Sequence, residues 1–418
     1  MSLLLRQVVF EGETVDLLIA AGLIQKIAPS PADFSADEVL EGGGLTVVPG
    51  LYNGHTHAAM SLMRGYADDM ELQSWLTTKI WPLEEKLTEE LVYHGTRLAC
   101  LEMIKSGTVF FNDMYWHFHG TARAVEEMGL RAALSAVIID LNDPGRLAEQ
   151  IAVNRDLYQA SRDFSDRLQF VLGPHAIYTV SRAGLEWVRD FAAEHDLMIH
   201  LHLSETEPEV KNSLTAFGCR PVSYLAQLGL LSERLVAAHA VWLDRDEIAL
   251  LEKNQVRVIN NPTSNMKLAV GKTFAYRHFV EHGVLVGLGT DGCASNNNLD
   301  MFETMKISAL LQKFAVHDPT VQPASAVWRM ATAAGAAIFG LRGGEIGVGR
   351  PADLLLIDRE RPEMAPGHNL ISDLVYSASG AVVDTTIVAG RVLMHQRRVP
   401  GEKEIIAEAR AAVRQLLR

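Results

Sequence analysis

The sequence predicts an α/β chain: a (β/α)₈ barrel of the TIM type with a small β-sandwich domain formed from both termini. Strand-like apolar runs alternate with amphipathic helical stretches through the middle of the chain, and short strand-like runs recur at both ends. A doubly wound sheet would show the same alternation. The barrel is favoured because several runs end in a histidine or an acid, and the carboxyl ends of barrel strands converge on one mouth, where active sites lie.

The two termini supply the small domain. Their strand-like runs are residues 8–12, 16–24, 353–358 and 385–393. Neither end is long enough to bury a good core alone, so we expect residues 1–48 and 350–418 to form one composite β-domain. This domain would include a C-terminal helix from about residue 402. The barrel is then expected over residues 49–349.

Eight apolar runs supply the predicted barrel strands. They are residues 47–49, 108–111, 134–139, 170–172, 198–203, 235–238, 256–259 and 284–288. The stretches between them have helical spacing of apolar residues, as in 88–105, 182–195 and 244–253. Eight strand–helix alternations over this length match a decorated barrel.

The composition limits the classes of partner. Of the 418 residues, 48% are hydrophobic and 21% charged, as in an ordinary globular chain, and the net charge is −13. Such an acidic surface repels phosphate backbones and anionic lipids, so we expect neither nucleic acid nor membrane partners. The three cysteines form no C-x-x-C pair, and no leader-like apolar run is present, which predicts a cytoplasmic location. Association of the chain into a homo-oligomer is compatible with this composition.

Two histidines follow the first predicted barrel strand. His55 and His57 are two residues apart in an extended segment, so their side chains point to the same side and can bind one divalent ion. Alone, such a pair is a weak signal and more often belongs to a polar loop after a strand. Later runs also end in polar residues, namely His175, His202, His239 and Asp291. A barrel would bring these strand ends together at one metal site.

A family resemblance rests on these motifs. The P-G-x-x-x-x-H-x-H segment at 49–57, His202 followed by Glu205, His239, and Thr290-Asp291-Gly292 resemble the amidohydrolase superfamily. Within it, Asn-Pro-Thr-Ser-Asn-Met-Lys-Leu at 261–268 and the segment 290–297 look like the 5′-methylthioadenosine/S-adenosylhomocysteine deaminase family. The resemblance covers essentially the whole chain. It is less specific for the substrate, because triazine hydrolases and other aminohydrolases share much of the motif set.

The resemblance implies a metal site. It assigns His55, His57, His202 and Asp291 as ligands of one divalent ion, Zn²⁺ first and Fe²⁺ as the alternative. An ion held by three neutral imidazoles and one carboxylate stays positive and lowers the pKa of bound water to about 7. His200 competes with His202, but the family spacing selects His202 and leaves His200 as a hydrogen-bonded packing residue. No lysine ends the fourth strand, which implies one metal rather than two.

The resemblance also assigns Glu205, His239 and Asp291 to catalysis. Glu205 would protonate the ring nitrogen and the leaving amine. Alternatively, it is a helix N-terminal glutamate near a cap at Ser204. His239 would orient the hydroxide or stabilise the developing oxyanion, or be a structural strand-end histidine. Asp291 would also accept the water proton, or be a plain turn aspartate.

For substrate binding, the resemblance points to Glu84, Arg146, His175 and Trp75, together with Glu205. Glu84 would accept hydrogen bonds from both ribose hydroxyls, Arg146 and His175 would meet the 5′ substituent, and Trp75 would cover the ligand. The alternatives are an ion pair of Glu84 with Lys86, a surface-helix role for Arg146 and a packing role for Trp75.

Two positions depart from some relatives. Ala136 stands where they carry a basic residue, which favours a neutral 5′ group, and Asn260 stands where they carry a histidine.

The predicted function is hydrolytic deamination of an adenine nucleoside (5′-methylthioadenosine, S-adenosylhomocysteine or adenosine) to the inosine-type product and ammonia. A second hypothesis keeps the hydrolase but changes the substrate to guanine, 8-oxoguanine, pterin or an s-triazine, with amino or chloro displacement. A third is a catalytically inactive barrel scaffold. The presence of all four ligands together with Glu205 and His239 disfavours the scaffold.

Overall fold

The computed structural model describes residues 2–418, and its centre is a closed parallel barrel with eight strand positions. In chain order the strands are Leu51–Thr56, Thr108–Tyr115, Arg131–Ile138, Leu168–Phe170 continued by Gly173–Pro174, Ile199–Leu203, Leu235–His239, Arg257–Asn260 and Val286–Leu288. A bridge between Leu172 and Ile199 joins the fourth position to the fifth. The barrel closes where the Asp291 N–H donates to the His55 carbonyl at 2.9 Å. The predicted barrel is confirmed.

Helices cover the outside of the barrel. They are Glu89–Lys105, Phe118–Met128, Pro144–Ala160, Arg182–His195, Glu207–Phe217, Pro221–Gln227, Arg245–Lys253, Pro262–Lys267, Tyr276–Glu281, Met301–Val316, Ala324–Ala331 and Ala333–Ile338. The predicted helical stretches begin at side-chain caps, because Thr88, Ser181 and Asp244 each accept a first-turn backbone N–H. Within residues 2–418, no helix combines the length and the apolar character needed to cross a bilayer.

Shorter elements complete the chain. After the first barrel strand come Ala58–Met63, Leu72–Trp75, the π-helical turn Leu76–Ile80 and Trp81–Glu84, and later Ser161–Asp163, Pro362–Met364, Leu370–Tyr376 and Gly380–Val382. The last helix, Glu402–Leu416, packs against the barrel helix Glu89–Lys105, where Lys105 Nζ lies 2.7 Å from the Glu402 carboxylate.

Strands from both termini form one hydrogen-bonded sheet beside the barrel. They are Ser2–Phe10, Glu13–Ala20, Leu23–Pro29, Glu38–Glu41, Thr46–Pro49, Leu354–Ile357, Val383–Val388 and Arg391–Met394. The antiparallel pairing of Thr46–Pro49 with Leu354–Ile357 joins the N-terminal part to the C-terminal part. Both ends therefore contribute to one sheet, as the sequence predicted, and the domain boundaries at 48/49 and 349/350 stay a prediction.

One predicted barrel strand is wrong. Thr46–Pro49 belongs to the terminal sheet, and the first barrel strand begins at Leu51. The chain passes from one sheet to the other at Gly50, where an added Cβ would lie 2.3 Å from Val109 Cγ1. The apolar run is continuous through this glycine, and periodicity alone does not reveal which sheet supplies the hydrogen bonds.

We expect Asp353→Asn to lower the free energy of unfolding by about 3 kcal/mol, because it leaves Arg131 without its buried anion. The Asp353 side chain is 2% exposed and lies 2.9 Å from Arg131 Nε, joining the terminal sheet to the barrel. Chemical denaturation measures the change. Asp358→Asn, which alters a less buried carboxylate at the end of the same strand, is the control and should change stability by less than about 0.5 kcal/mol. Equal effects of the two substitutions would contradict the argument.

Candidate active site

Four barrel strands bring five of the predicted site residues together at one mouth. Asp291 Oδ1 lies 3.4 Å from His55 Nε2 and 3.3 Å from His57 Nε2. His202 Nε2 lies 3.4 Å from His57 Nε2, and His239 Nε2 lies 4.0 Å from Asp291 Oδ2. Within two sets, the ligand atoms lie within 4.8 Å of one another: His55, His57 and Asp291, and His55, His202 and His239.

The histidines are oriented by hydrogen bonds on their opposite ring nitrogens. His57 Nδ1–H donates to the Met114 carbonyl at 2.7 Å, and His202 Nδ1–H donates to the His175 carbonyl at 2.9 Å. A carbonyl only accepts, so each ring carries a proton on Nδ1 and turns its Nε2 toward the cluster. This is the outer-shell arrangement typical of metal-binding histidines.

His55 lies at the bottom of the cluster and is fully buried. Burial lowers its pKa to about 4, so the ring is neutral. Its Nδ1 lies 2.7 Å from His200 Nε2, which agrees with a hydrogen-bonded role for His200, while its Nε2 has no hydrogen-bond partner. Leaving a buried nitrogen unpaired is costly. The unpaired Nε2, facing two imidazoles and a carboxylate, fits a divalent cation that prefers such donors.

Three strand-end residues of the site have left-handed backbone conformations. The φ angles are 49° at Ser204, 70° at His239 and 64° at Asp291. Each such conformation costs free energy in a non-glycine residue, of order 1–3 kcal/mol. Asp291 is further held by the Gly292 N–H (2.8 Å) and the Ser264 hydroxyl (2.6 Å), which both donate to its carboxylate. The surrounding structure therefore imposes these conformations where the side chains must aim at one point.

Glu205 is 9% exposed and follows the fifth barrel strand. One carboxylate oxygen lies 3.8 Å from His239 Nδ1, and that Nδ1–H donates to Asn265 Oδ1 at 2.8 Å. Burial raises the pKa of Glu205, which favours a carboxyl group that can carry a proton. The helix that follows is capped by Thr206, so Ser204 is not the helix cap.

Four of the predicted substrate-binding residues line the cavity beside the metal-ligand cluster: Trp75, Glu84, His175 and Glu205. Burial raises the pKa of Glu84, and hydrogen bonds from Tyr115 and Trp116 oppose the rise. Trp75 is buried and donates its indole N–H to the Ala67 carbonyl at 3.0 Å.

Arg146 lines a second, outer cavity of about 880 Å³. The two cavities adjoin, since Glu84, Trp81 and Tyr115 line both. The Arg146 side chain is 58% exposed and lies 4.0 Å from Asp143. Arg146 and His175, which the family resemblance predicts to meet the same 5′ substituent, therefore line different cavities.

Two positions, Ala136 and Asn260, differ from some relatives, and of these Ala136 lines the outer cavity. Asn260 lines neither cavity, and its Nδ2 lies 3.4 Å from Ser308 Oγ.

The chain is similar to known proteins in both sequence and fold. The sequence profile of the amidohydrolase family matches residues 46–393. The chain belongs to the amidohydrolase family.

Similar amidohydrolases include deaminases. The 5′-deoxyadenosine deaminase of Methanoregula boonei is 51% identical over 384 residues, 92% of this chain and 87% of that protein. The 5-methylthioadenosine/S-adenosylhomocysteine deaminase 1 of Archaeoglobus fulgidus is 47% identical over 386 residues, 91% and 90% of the two chains. A crystal structure of an adenosine deaminase from Xanthomonas campestris with bound zinc superposes with a TM-score of 0.92 at 35% identity, over 99% of this chain and 98% of that one.

Sequence reasoning assigned no role to several buried residues that support this amidohydrolase site. Asp113 accepts the Thr56 hydroxyl (2.9 Å) and the Ala58 N–H (2.6 Å), on either side of His57. Asn265 and Ser264 contact His239 and Asp291, as described above. Asp113 lies two residues before the end of the buried strand Thr108–Tyr115, and Ser264 and Asn265 lie in the helix Pro262–Lys267, within the motif at 261–268. The available signals were therefore a charged residue inside an apolar strand and the polar residues of that motif.

Proposed function

We propose that the protein is an aminohydrolase that removes the amino group of adenosine-type nucleosides, releasing ammonia and the inosine-type product. One observation carries the proposal: a single cavity is lined by three of the four proposed metal ligands (His57, His202 and Asp291), by the buried Glu205 carboxyl group and, toward the adjoining outer cavity, by Glu84. The relatives described above, which carry deaminase names, support the same assignment.

We assign one divalent ion to His55, His57, His202 and Asp291, with zinc expected first and iron(II) as the alternative. A bound ion of this kind supplies a water of lowered pKa as the nucleophile. The donor set of three imidazoles and one carboxylate suits both metals, so metal analysis of the purified protein decides between them.

Glu205 moves the protons. The Glu205 carboxylate first takes one proton from the nucleophilic water, and the resulting carboxyl group delivers that proton to N1 of the adenine ring while the water oxygen forms a bond to C6. The carboxylate then takes the remaining water proton, relayed by Asp291, and gives it to the exocyclic nitrogen. The C6–N bond breaks, ammonia leaves and the carbonyl forms. Burial of Glu205 suits this exchange because it moves the carboxyl pKa toward the operating pH.

His239 stabilises the oxygen that becomes negative as the bond to C6 forms. Its Nδ1–H is committed to Asn265, so only the protonated ring offers a second donor, Nε2–H, on the side of the cavity where Asp291 lies 4.0 Å away. Burial lowers the pKa of His239, but the carboxylates of Glu205 and Asp291 outweigh it and raise the pKa, which favours this protonated ring. A preorganised group aimed at developing charge needs little reorganisation during the reaction.

Glu84 accepts hydrogen bonds from the ribose hydroxyls, and Trp75 covers the nucleoside. The ribose would then lie at the junction of the two cavities, with its 5′ carbon directed into the outer one. That cavity has apolar walls that include Val137, Ile139 and Leu157, with Arg146 at an exposed position. His175 lies deeper, beside the metal ligands.

The test is a substrate panel with the zinc-loaded protein, comprising 5′-deoxyadenosine, 5′-methylthioadenosine, adenosine, S-adenosylhomocysteine and guanine. Loss of adenine absorbance and release of ammonia report the reaction. Deamination of the adenine nucleosides supports the proposal. Turnover of guanine or an s-triazine alone, with no adenine nucleoside deaminated, would overturn it in favour of another heterocycle.

Within the panel, we expect kcat/KM for 5′-deoxyadenosine and 5′-methylthioadenosine to exceed that for S-adenosylhomocysteine by about 10-fold or more. The reason is that the outer cavity is largely apolar and its only Arg or Lys, Arg146, is solvent-exposed, so desolvation of the homocysteine charges is poorly compensated. Ala136→Arg should reduce the preference for the neutral nucleosides over S-adenosylhomocysteine, and Ala136→Gln is the uncharged polar control. A wild-type preference for S-adenosylhomocysteine would contradict this prediction.

A further inference from the structure

Glu209 is a buried carboxylate beside the site that none of the steps above uses. It lies in the first turn of the helix Glu207–Phe217 and is 6% exposed. Its two oxygens accept neighbouring backbone groups: Oε1 accepts the Ser204 N–H at 2.7 Å, and Oε2 accepts the Glu205 N–H at 2.8 Å. One side chain thus holds both the residue that follows the fifth strand, Ser204, and the proposed proton carrier, Glu205.

The arrangement differs from an ordinary helix capping box. Thr206 is the N-cap, and its hydroxyl accepts the Glu209 N–H at 3.4 Å. In a capping box the glutamate three residues into the helix bonds back to the N–H of the cap residue itself. Here the Glu209 carboxylate accepts no N–H from Thr206 and instead binds the N–H groups of the two preceding residues. It therefore stabilises the turn that contains Glu205.

The backbone turn at residues 204 and 205 needs stabilising contacts. Ser204 has a φ of 49°, which is unfavourable for a residue with a side chain. Burial raises the pKa of Glu209 to about 7, and the hydrogen bonds from the Ser204 and Glu205 N–H groups oppose the rise. Because each oxygen accepts one N–H, the two bonds favour the ionised carboxylate, whose charge-assisted hydrogen bonds are stronger than neutral ones. Glu209 does not line the cavity, so it can influence the reaction only through the residues that it holds.

We propose that Glu209 is a positioning residue for Glu205, holding the backbone of residues 204 and 205 so that the Glu205 carboxyl group faces the ring nitrogen of the substrate. The inference rests on the proposed function. A misplacement of about 1 Å in a proton-transfer group costs about 100-fold in rate, so the effect of losing this support should be large and confined to the chemical step.

The first test is Glu209→Gln. Glutamine keeps one acceptor oxygen but turns an NH₂ group toward the second N–H, so one of the two bonds is lost. We expect kcat for 5′-deoxyadenosine to fall by about 10- to 100-fold, with KM and bound zinc unchanged. Glu247→Gln is the matched control, since Glu247 is also buried and accepts the backbone N–H groups of Asp244 and Val222, away from the site.

The second test separates positioning from a general structural role. If Glu209 acts through Glu205, adding Glu209→Gln to a Glu205→Gln protein should lower kcat by less than about 3-fold, because there is no proton carrier left to position. An equal loss in both backgrounds would overturn the inference, as would a wild-type kcat for Glu209→Gln or a loss confined to KM.

Glu209→Asp provides a further test in case Glu209→Gln folds poorly. Glu209→Asp keeps the charge but is one methylene too short to hold both N–H groups at their present distances, so kcat should still fall. A wild-type kcat for Glu209→Asp would overturn the inference. Failure of the proposed function itself looks different: the wild-type, zinc-loaded protein would deaminate no nucleoside.

Discussion

Glu205→Gln is expected to lower kcat for nucleoside deamination by about 1,000-fold while KM and the bound metal stay close to the wild-type values. Glutamine preserves the size and polarity of the side chain, but it cannot deliver a proton to the ring nitrogen and then pass another to the leaving amine. Because Glu205 is only 9% exposed, protons from solvent cannot readily replace those that its carboxyl group delivers. Steady-state kinetics and metal analysis on the same preparation measure the two quantities.

The matched control for this prediction is Glu207→Gln. Glu207 lies two residues further along and pairs with Lys211 at the surface, 2.9 Å away. The same chemical change there should leave kcat within about 2-fold of wild type, because exposed ion pairs contribute little. If Glu205→Gln retained a tenth or more of the wild-type kcat, Glu205 would not be the proton carrier.

Asp291→Asn is expected to release the metal and to lower kcat/KM by at least about 1,000-fold. Asp291 is the only carboxylate of the proposed ligand set, and its Oδ1 lies within 3.4 Å of two imidazole nitrogens. A neutral amide removes the negative charge from the set and places a weaker donor toward the ion. Zinc content after dialysis and competition with a chromogenic chelator measure the affinity, independently of activity.

A second aspartate controls for the effect of the substitution on folding. Asp300 is also a mostly buried carboxylate that accepts backbone N–H groups, from Phe302 at 2.9 Å and Gly380 at 2.9 Å, but it caps a helix away from the cluster. Asp300→Asn should keep its zinc. Full zinc occupancy in Asp291→Asn would contradict the assignment of Asp291 as a ligand.

The order of the residues along the chain already predicted which of them form the site. Barrel strands run parallel and their carboxyl ends share one mouth, so His55, His202, His239 and Asp291, each near the end of an apolar run, were expected to meet, and the structure brings them together. Seven of the eight predicted strand runs, and the union of both termini in one sheet, followed from hydrophobic patterning in the same way.

Other features depended on partners that are remote in sequence. Whether residues 47–49 pair with the barrel or with Leu354–Ile357 is decided by hydrogen bonds formed some 300 residues away. The packing of the helix that carries Arg146 against the strands decides which cavity this residue lines. The spacing of residues along the chain does not reveal that packing.

The sequence alone therefore determined which residue types could bind a metal and that the strand ends would collect them, because patterning and the direction of barrel strands depend on local chemistry. Tertiary structure decided how each ring is aimed, which histidine nitrogen is left free and which buried carboxylates, such as Asp113 and Glu209, hold the turns. These outcomes depend on burial: a buried N–H must find an acceptor, and the acceptor that it finds is set by packing in three dimensions.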